Sequence, residues 1–184
     1  MSTSRPRNSA RERLLDAAET AVCEHGVQAL TLEAVAAAAG VTKGGLIYHF
    51  KTKEDLLGAL VERMMVKLRE RYSARMAASD QTTRGMLVAL VDDTFEMSAQ
   101  DKAVLSSLLA AISSYPQLLD PVRGVFDDVY GRVTKDRRNT GGALAIAAAL
   151  DGLLLLELLD LHHFTKAQRA AMQRALHDMA EGLS

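Results

Sequence analysis

Residues 31–57 read T-L-E-A-V-A-A-A-A-G-V-T-K-G-G-L-I-Y-H-F-K-T-K-E-D-L-L. Three helix starts follow one another here in quick succession. Thr31 is an N-cap candidate, because its hydroxyl can accept one of the amide protons that a helix start leaves unpaired. Leu30 and Val35 stand at the spacing of a hydrophobic staple around it. Gly40 closes the segment. Thr42 caps the next, with Val41 and Leu46 again at staple spacing, and this helix reaches only to Phe50. Thr52 opens a third, and Asp55 completes a T-x-x-D capping signal. Two short helices joined by a tight glycine turn are the outline of a helix-turn-helix. Leu32, Val35 and Ala36 face inward from the first helix, and Val41, Leu46 and Phe50 from the second. Thr42, Lys43, Gly44, Gly45, Tyr48 and His49 are left to face outward. A short helix anchored at both ends and polar on one face suits a DNA major groove, where base edges offer donors and acceptors. Gly44 and Gly45 each cost about 1 kcal/mol against alanine in a helix interior. Either they let the backbone approach DNA, or they are first-turn glycines that keep helices close.

Around this stretch the chain reads as helix throughout. A first helix is expected over 9–25, with Leu14, Ala18, Ala21 and Val22 at helical spacing and Gly26 as its C-cap. Residues 1–8 read as a basic arm. Arg5, Arg7, Arg11 and Arg13 face only Glu12 among the first 13 residues, and they either solubilise a chain end or follow a DNA groove. Further helices are expected at 53–78, 84–97, 100–113, 117–136, 141–161 and 166–181, the last capped by Thr165, with a loop at 79–83. Composition agrees: the 184 residues are 48% hydrophobic and 4% aromatic, with 3 prolines. Ala and Leu favour helix, whereas strands draw on β-branched and aromatic residues.

Charge excludes a polybasic nucleic-acid coat but not a local basic surface, since 22 Lys and Arg stand against 23 Asp and Glu. The single cysteine, Cys23, permits no intramolecular disulfide, fits a reducing cytoplasm, and reads as a small core residue. The N-terminus has no apolar signal core. Ala143–Leu161 is the longest apolar run; Asp151, Glu157 and Asp160 interrupt it, so it reads as a helix buried on several sides rather than one in a membrane. The glycines of 41–45 lack Walker spacing and no strand precedes them. His162 and His163 are adjacent, about 100° apart on a helix, and read as a polar helix end rather than a metal pair. No nucleophile and base stand in a recognisable signature. The reading therefore holds no catalytic residue, metal or cofactor.

The motifs T-x-x-x-V-A-x-x-A-G-V (31–41), K-G-x-L-x-x-H-F (43–50) and K-E-x-L-L (53–57) resemble the TetR family of one-component bacterial regulators, over about residues 9–57. The resemblance implies an all-α chain with an N-terminal three-helix DNA-binding domain (1–53) and a C-terminal helical domain for ligand binding and dimerisation (54–184). It implies a cytoplasmic homodimer, a repressor on a palindromic double-stranded operator that a small apolar or amphipathic effector releases. Thr42, Lys43, Gly44, Gly45, Tyr48 and His49 fall on the family's recognition helix, and Thr31 and Lys53 on its phosphate-holding positions. The family's L-Y-x-H-F is here Leu46-Ile47-Tyr48-His49-Phe50, so the tyrosine stands one residue, about 100°, from its usual place. The last two helices are implied as the dimer interface, with Leu154, Leu155, Leu158, Met172 and Leu176 as candidates. Ala143, Ala145, Ala147 and Ala149 allow close helix approach there. Effector candidates are Met64, Met65, Leu68, Phe95, Leu108, Ile112, Phe126 and Tyr130, and the 8 methionines offer adaptable interior surface. Asp151 either meets a ligand, pairs with an arginine or caps locally; the structural role is preferred.

Overall fold

The threonine caps expected from sequence are hydrogen-bonded in a computed structural model, which describes residues 9–77, 82–135 and 138–183. Arg5 and Arg7 of the expected arm, and residues 79–81 of the expected loop, lie outside the described residues. Thr31 Oγ1 accepts from the Ala34 amide at 3.2 Å and Thr42 Oγ1 from the Gly45 amide at 3.1 Å. Thr52 and Asp55 cap each other reciprocally, both at 3.0 Å. Thr165 and Gln168 form a full capping box at 2.8 and 3.2 Å.

The helices these caps start are α1 (Ala10–Ala29), α2 (Leu32–Ala38), α3 (Lys43–His49), α4 (Lys53–Ala77), α5 (Thr83–Phe95), α6 (Ala99–Ala111), α7 (Leu119–Val133), α8 (Thr140–Leu158) and α9 (Lys166–Glu181). A 3₁₀ turn at Pro116–Leu118 leads into α7. Among the described residues there is no strand. Helix ends follow backbone chemistry. Gly26 breaks α1 at φ 74°, ψ 166°, a region open in practice only to glycine. Gly40, at φ 62°, closes α2 in a Schellman motif: the Val41 amide reaches the Ala36 carbonyl and the Gly40 amide that of Ala37. α8 ends the same way, three residues before the expected 161. There Asp160 takes the left-handed position at φ 57°, the Leu161 amide reaches Leu156 and the Asp160 amide reaches Glu157. Aspartate tolerates this conformation, but it advertises a helix stop less plainly than glycine does.

The chain forms two compact units: Met1–Arg63 with Ala103–Leu119, and Met64–Lys102 with Asp120–Ser184, as far as their residues are described. The division falls ten residues beyond the expected boundary at 53/54 and returns 103–119 to the first unit. In that unit α1, α2 and α3 pack on one another. Leu14, Leu15, Val22, Val35, Leu46, Leu56 and Phe50 are buried, each large side chain contributing about 2 kcal/mol. Arg63 ties α4 to α1. Its guanidinium bonds Asp16 at 2.7 Å and the Leu15 carbonyl at 2.9 Å, pairs closely with Glu19, and lies 3.7 Å from Glu12.

In the second unit α5, α8 and α9 pack mutually around Leu87, Val91, Ile146, Leu150, Leu176 and Ala180, with Tyr72 of α4 and Val133 of α7. Glu157 is held between Lys102 (2.7 Å) and Arg169. Asp93, buried, faces Arg71 at 3.3 Å and Arg75 at 3.7 Å. By length and composition alone α8 could cross a membrane, and only 33% of its most apolar stretch is buried in the chain. Within the single chain one side packs inward through Ala143, Ile146, Ala147, Leu150 and Leu153, while Ala145, Ala148, Ala149, Leu155 and Leu156 are exposed.

Arg63 makes a direct stability prediction. Its side chain and that of Glu19 are only 13% and 11% exposed, so Arg63→Ala removes a close, largely desolvated cation from a buried carboxylate. A loss of about 3 kcal/mol is expected at neutral pH, measured by urea denaturation; a loss below about 1 kcal/mol is what an exposed surface pair would give and would contradict this account.

Candidate nucleic-acid interface

α3 carries the candidate surface, held from below by Leu46 and Phe50, both buried. The Arg11 guanidinium lies 5.6 Å over the Phe50 ring, and Arg13 Nε donates to the Ala39 carbonyl at the end of α2 at 3.3 Å. These two arginines of the expected basic stretch therefore brace the helix-turn-helix itself. Thr42, Lys43, Gly44, Ile47 and Tyr48 are exposed, Tyr48 by 85%, while Gly45 and His49 are half-buried. His49 packs edge-on against Tyr48 at 5.1 Å.

The two glycines divide the readings left open by sequence. A Cβ on Gly45 would stand 2.9 Å from Val41 Cγ1 and 3.2 Å from Thr42 Oγ1, so Gly45 is required by the packing of the turn and the cap. A Cβ on Gly44 would meet nothing within 4 Å; its bare backbone faces outward. Ile47, absent from the expected contact set, stands on the same face, 43% exposed. It is the residue at the displaced tyrosine's usual place.

Lys43 Nζ pairs with Glu33 Oε1 at 2.8 Å across the turn, both side chains exposed. The bond to Glu33 raises the ammonium's pKa and lowers the carboxyl's, so both stay charged. Lys53 Nζ donates to the Gln28 carbonyl at 3.4 Å; burial lowers its pKa. Thr31 is exposed at the start of α2. Free first-turn amides at α2 and α4 give both places a positive end. Glu33 and Gln28 could not be found as partners from sequence, because their pairings depend on how the helices cross.

The other expected sites are gathered less completely. Met64 and Met65 are buried and Leu68 is half-buried. Phe95 packs on the core of the second unit under the Arg169 guanidinium, 5.2 Å from its ring centre. Leu108, buried, and Ile112 belong to the first unit, whereas the other six belong to the second. Phe126 is 44% exposed and stacks on Tyr130 at 6.2 Å. Tyr130 Oη donates to Asp151, so the partner expected for Asp151 is a tyrosine rather than an arginine. Among the dimer candidates, Leu158 and Leu176 are buried in their own chain and have little area left for a partner. Leu154 and Met172 are half-buried and Leu155 is exposed. Cys23 is half-buried. His163 pairs with Asp160 at 2.7 Å and His162 lies edge-on to Phe164. Among the described residues no three His, Cys, Asp or Glu side chains gather as a metal site would require.

Residues 14–60 match the model of the bacterial regulatory proteins of the tetR family, and residues 80–181 that of the tetracyclin repressor-like C-terminal domain. The chain belongs to the TetR family. It is 32% identical over 173 residues to the HTH-type transcriptional regulator BetI of Serratia proteamaculans, covering 88% of this chain and 87% of that protein. SCO1917 of Streptomyces coelicolor, a solved TetR member, superposes with TM-score 0.70 at 26% identity over 93% of this chain and 98% of that one. The multidrug binding protein EbrR, solved with ethidium, superposes at 0.67 with 25% identity, again over 93% and 98%. This TetR-family chain is accordingly a DNA-binding transcriptional regulator of helix-turn-helix type, in a family of regulators rather than enzymes.

Two substitutions test the face. Lys43→Ala is expected to weaken operator binding about tenfold or more with the fold intact, read by fluorescence anisotropy and circular dichroism; normal operator affinity would remove Lys43 from the reading face. Lys53→Ala is expected to weaken all duplexes alike and to lower the slope of log affinity against log salt by about one. A loss confined to the operator, with the slope unchanged, would assign Lys53 to base reading.

Proposed function

We propose that this TetR-family regulator is a cytoplasmic homodimeric repressor. It holds an inverted-repeat operator with its two α3 helices and lets go when a small apolar or amphipathic molecule binds the helices beyond residue 54. The observation that carries the reading is the uncovered side of α8. Gly141, Ala145, Ala148, Leu155 and Leu159 recur there at helical spacing and all are exposed. Leu155 and Leu159 expose 45% and 49%, and Met179 of α9 exposes 51%. Small residues at one end let helices approach closely, and leucines at the other supply area worth about 25 cal/mol per Å² once covered. A second copy presents the same surface, and a two-fold pairing satisfies both at once.

Two recognition helices related by a two-fold axis match half-sites about one DNA turn or a multiple apart. On each, Lys43 and Tyr48 offer donors, while Ile47 offers an apolar surface suited to a thymine methyl. Thr31 and Lys53 position the backbone, and Thr42, Gly44, Gly45 and His49 complete the surface. EbrR, whose solved complexes hold ethidium and malachite green, supports a small-molecule effector. Met64, Met65, Leu68, Phe95, Phe126 and Tyr130 are the candidates within the second unit. An effector acts only by preferring the state that does not fit DNA.

Leu155→Arg tests the interface at an exposed position that a folded monomer tolerates. The variant is expected to sediment as a monomer at micromolar concentration and to bind an inverted-repeat operator roughly a hundredfold more weakly, by loss of bivalent attachment. A wild type that sediments as a monomer, or a variant that stays dimeric, overturns the reading.

A further inference from the structure

Asp151 stands apart from the other carboxylates of the second unit. Asp93 and Asp101 face Arg71, Asp92 faces His177, and Glu157 faces Lys102 and Arg169. Asp151, half-buried on an α8 otherwise uncharged until Glu157, has no Lys, Arg or His at ion-pair distance among the described residues. Its partner is neutral: Tyr130 Oη donates to Asp151 Oδ2 at 2.5 Å. One turn earlier on α7, Phe126 lies nearly parallel to Tyr130, with ring centres 6.2 Å apart at 18°. Phe126 is 44% exposed. Two aromatic rings and a carboxylate without a counter-charge thus meet between α7 and α8.

We propose that Phe126, Tyr130 and Asp151 form a recognition site for an organic cation with an apolar body. The rings take the body and attract positive charge through their π faces, and Asp151 supplies the counter-charge. A half-buried carboxylate lacking a cation is held at a cost in desolvation, and a cationic ligand removes that cost. A neutral ligand leaves it in place, and an anion adds repulsion, so the site discriminates by sign. Burial raises the Asp151 pKa, against the pull of the Tyr130 hydrogen bond, and the Tyr130 phenol is pushed up to about 12, chiefly by burial and then by Asp151. Tyr130 therefore stays protonated and keeps its proton directed at Asp151 Oδ2. The proposal rests on the reading of the second unit as the effector-binding one, and names the chemical class of that effector.

Tetraphenylphosphonium and tetraphenylborate, nearly identical in shape and opposite in charge, make the test. Calorimetric titration of the purified protein in sodium buffer is expected to show binding of the cation and none of the anion. Asp151→Asn is expected to weaken the cation roughly tenfold or more. Phe126→Ala, at an exposed position that leaves folding intact, is expected to weaken it about two- to fivefold. Tyr130→Phe keeps the ring and frees Asp151, and is expected to retain binding. Equal binding of both ions, no binding of the cation, or wild-type affinity in both Asp151→Asn and Phe126→Ala overturns the site. Anisotropy titration with operator DNA is read separately. Asp151-dependent cation binding that leaves operator affinity unchanged supports the site while removing its regulatory role.

Discussion

A helix of seven residues does not hold itself together in water, because nucleation fixes more backbone than so few hydrogen bonds repay. α3 exists only because both of its ends are held. Thr42 satisfies an amide at its start, and Leu46 and Phe50 are sunk into the core below it. The Schellman turn at Gly40 delivers the chain to Thr42 at the required angle, and Gly45 leaves room for the cap hydroxyl. Much of the first unit serves to present this one short helix: α1 and α2 pack around it, Arg11 covers Phe50, Arg13 closes the end of α2, and Arg63 ties α4 to α1.

Charge on the interface is arranged by the same packing. Lys43 is the long cation of the outward face, and Glu33 holds it across the turn. If Lys43 reads DNA as proposed, DNA replaces an existing partner, and the contact then depends on geometry as well as on the field of the phosphates. Lys53 rests on a backbone carbonyl instead, so the phosphate proposed there would take over a neutral contact. Elsewhere nearly every partly buried acid of the second unit has a cation. Asp151, answered among the described residues only by a phenol, departs from that pattern, and the exposed side of α8 departs from the usual burial of apolar helices. The first departure points to a ligand and the second to another copy of the chain.

Local signals were legible in the sequence and long-range ones were not. Thr31, Thr42, Thr52 and Thr165 announced their helices because a cap and its amide lie three residues apart. Gly40 announced its turn because only a small residue accepts its conformation easily. The end of α8 was read three residues late, since Asp160 fills a position where glycine is the stronger cue. The pairings Arg63–Glu19, Lys43–Glu33 and Tyr130–Asp151 join residues far apart in the chain, and periodicity carries no information about them. Leucine alone does not say which side of an apolar helix faces its own core, so the sequence does not show that Leu158 and Leu176 pack inside their own chain. Ile47 was noticed as a departure from the family pattern but not as part of the outward face, which depends on the rotation of α3 set by Leu46 and Phe50.

The most direct test of a two-fold, α3-based reading of DNA is selection of bound sequences from random duplexes by the purified full-length protein. The account predicts one enriched motif, an inverted repeat with half-sites about one helical turn or a multiple apart, centre to centre. Enrichment of an isolated half-site or a direct repeat, or no enrichment over input, would contradict it.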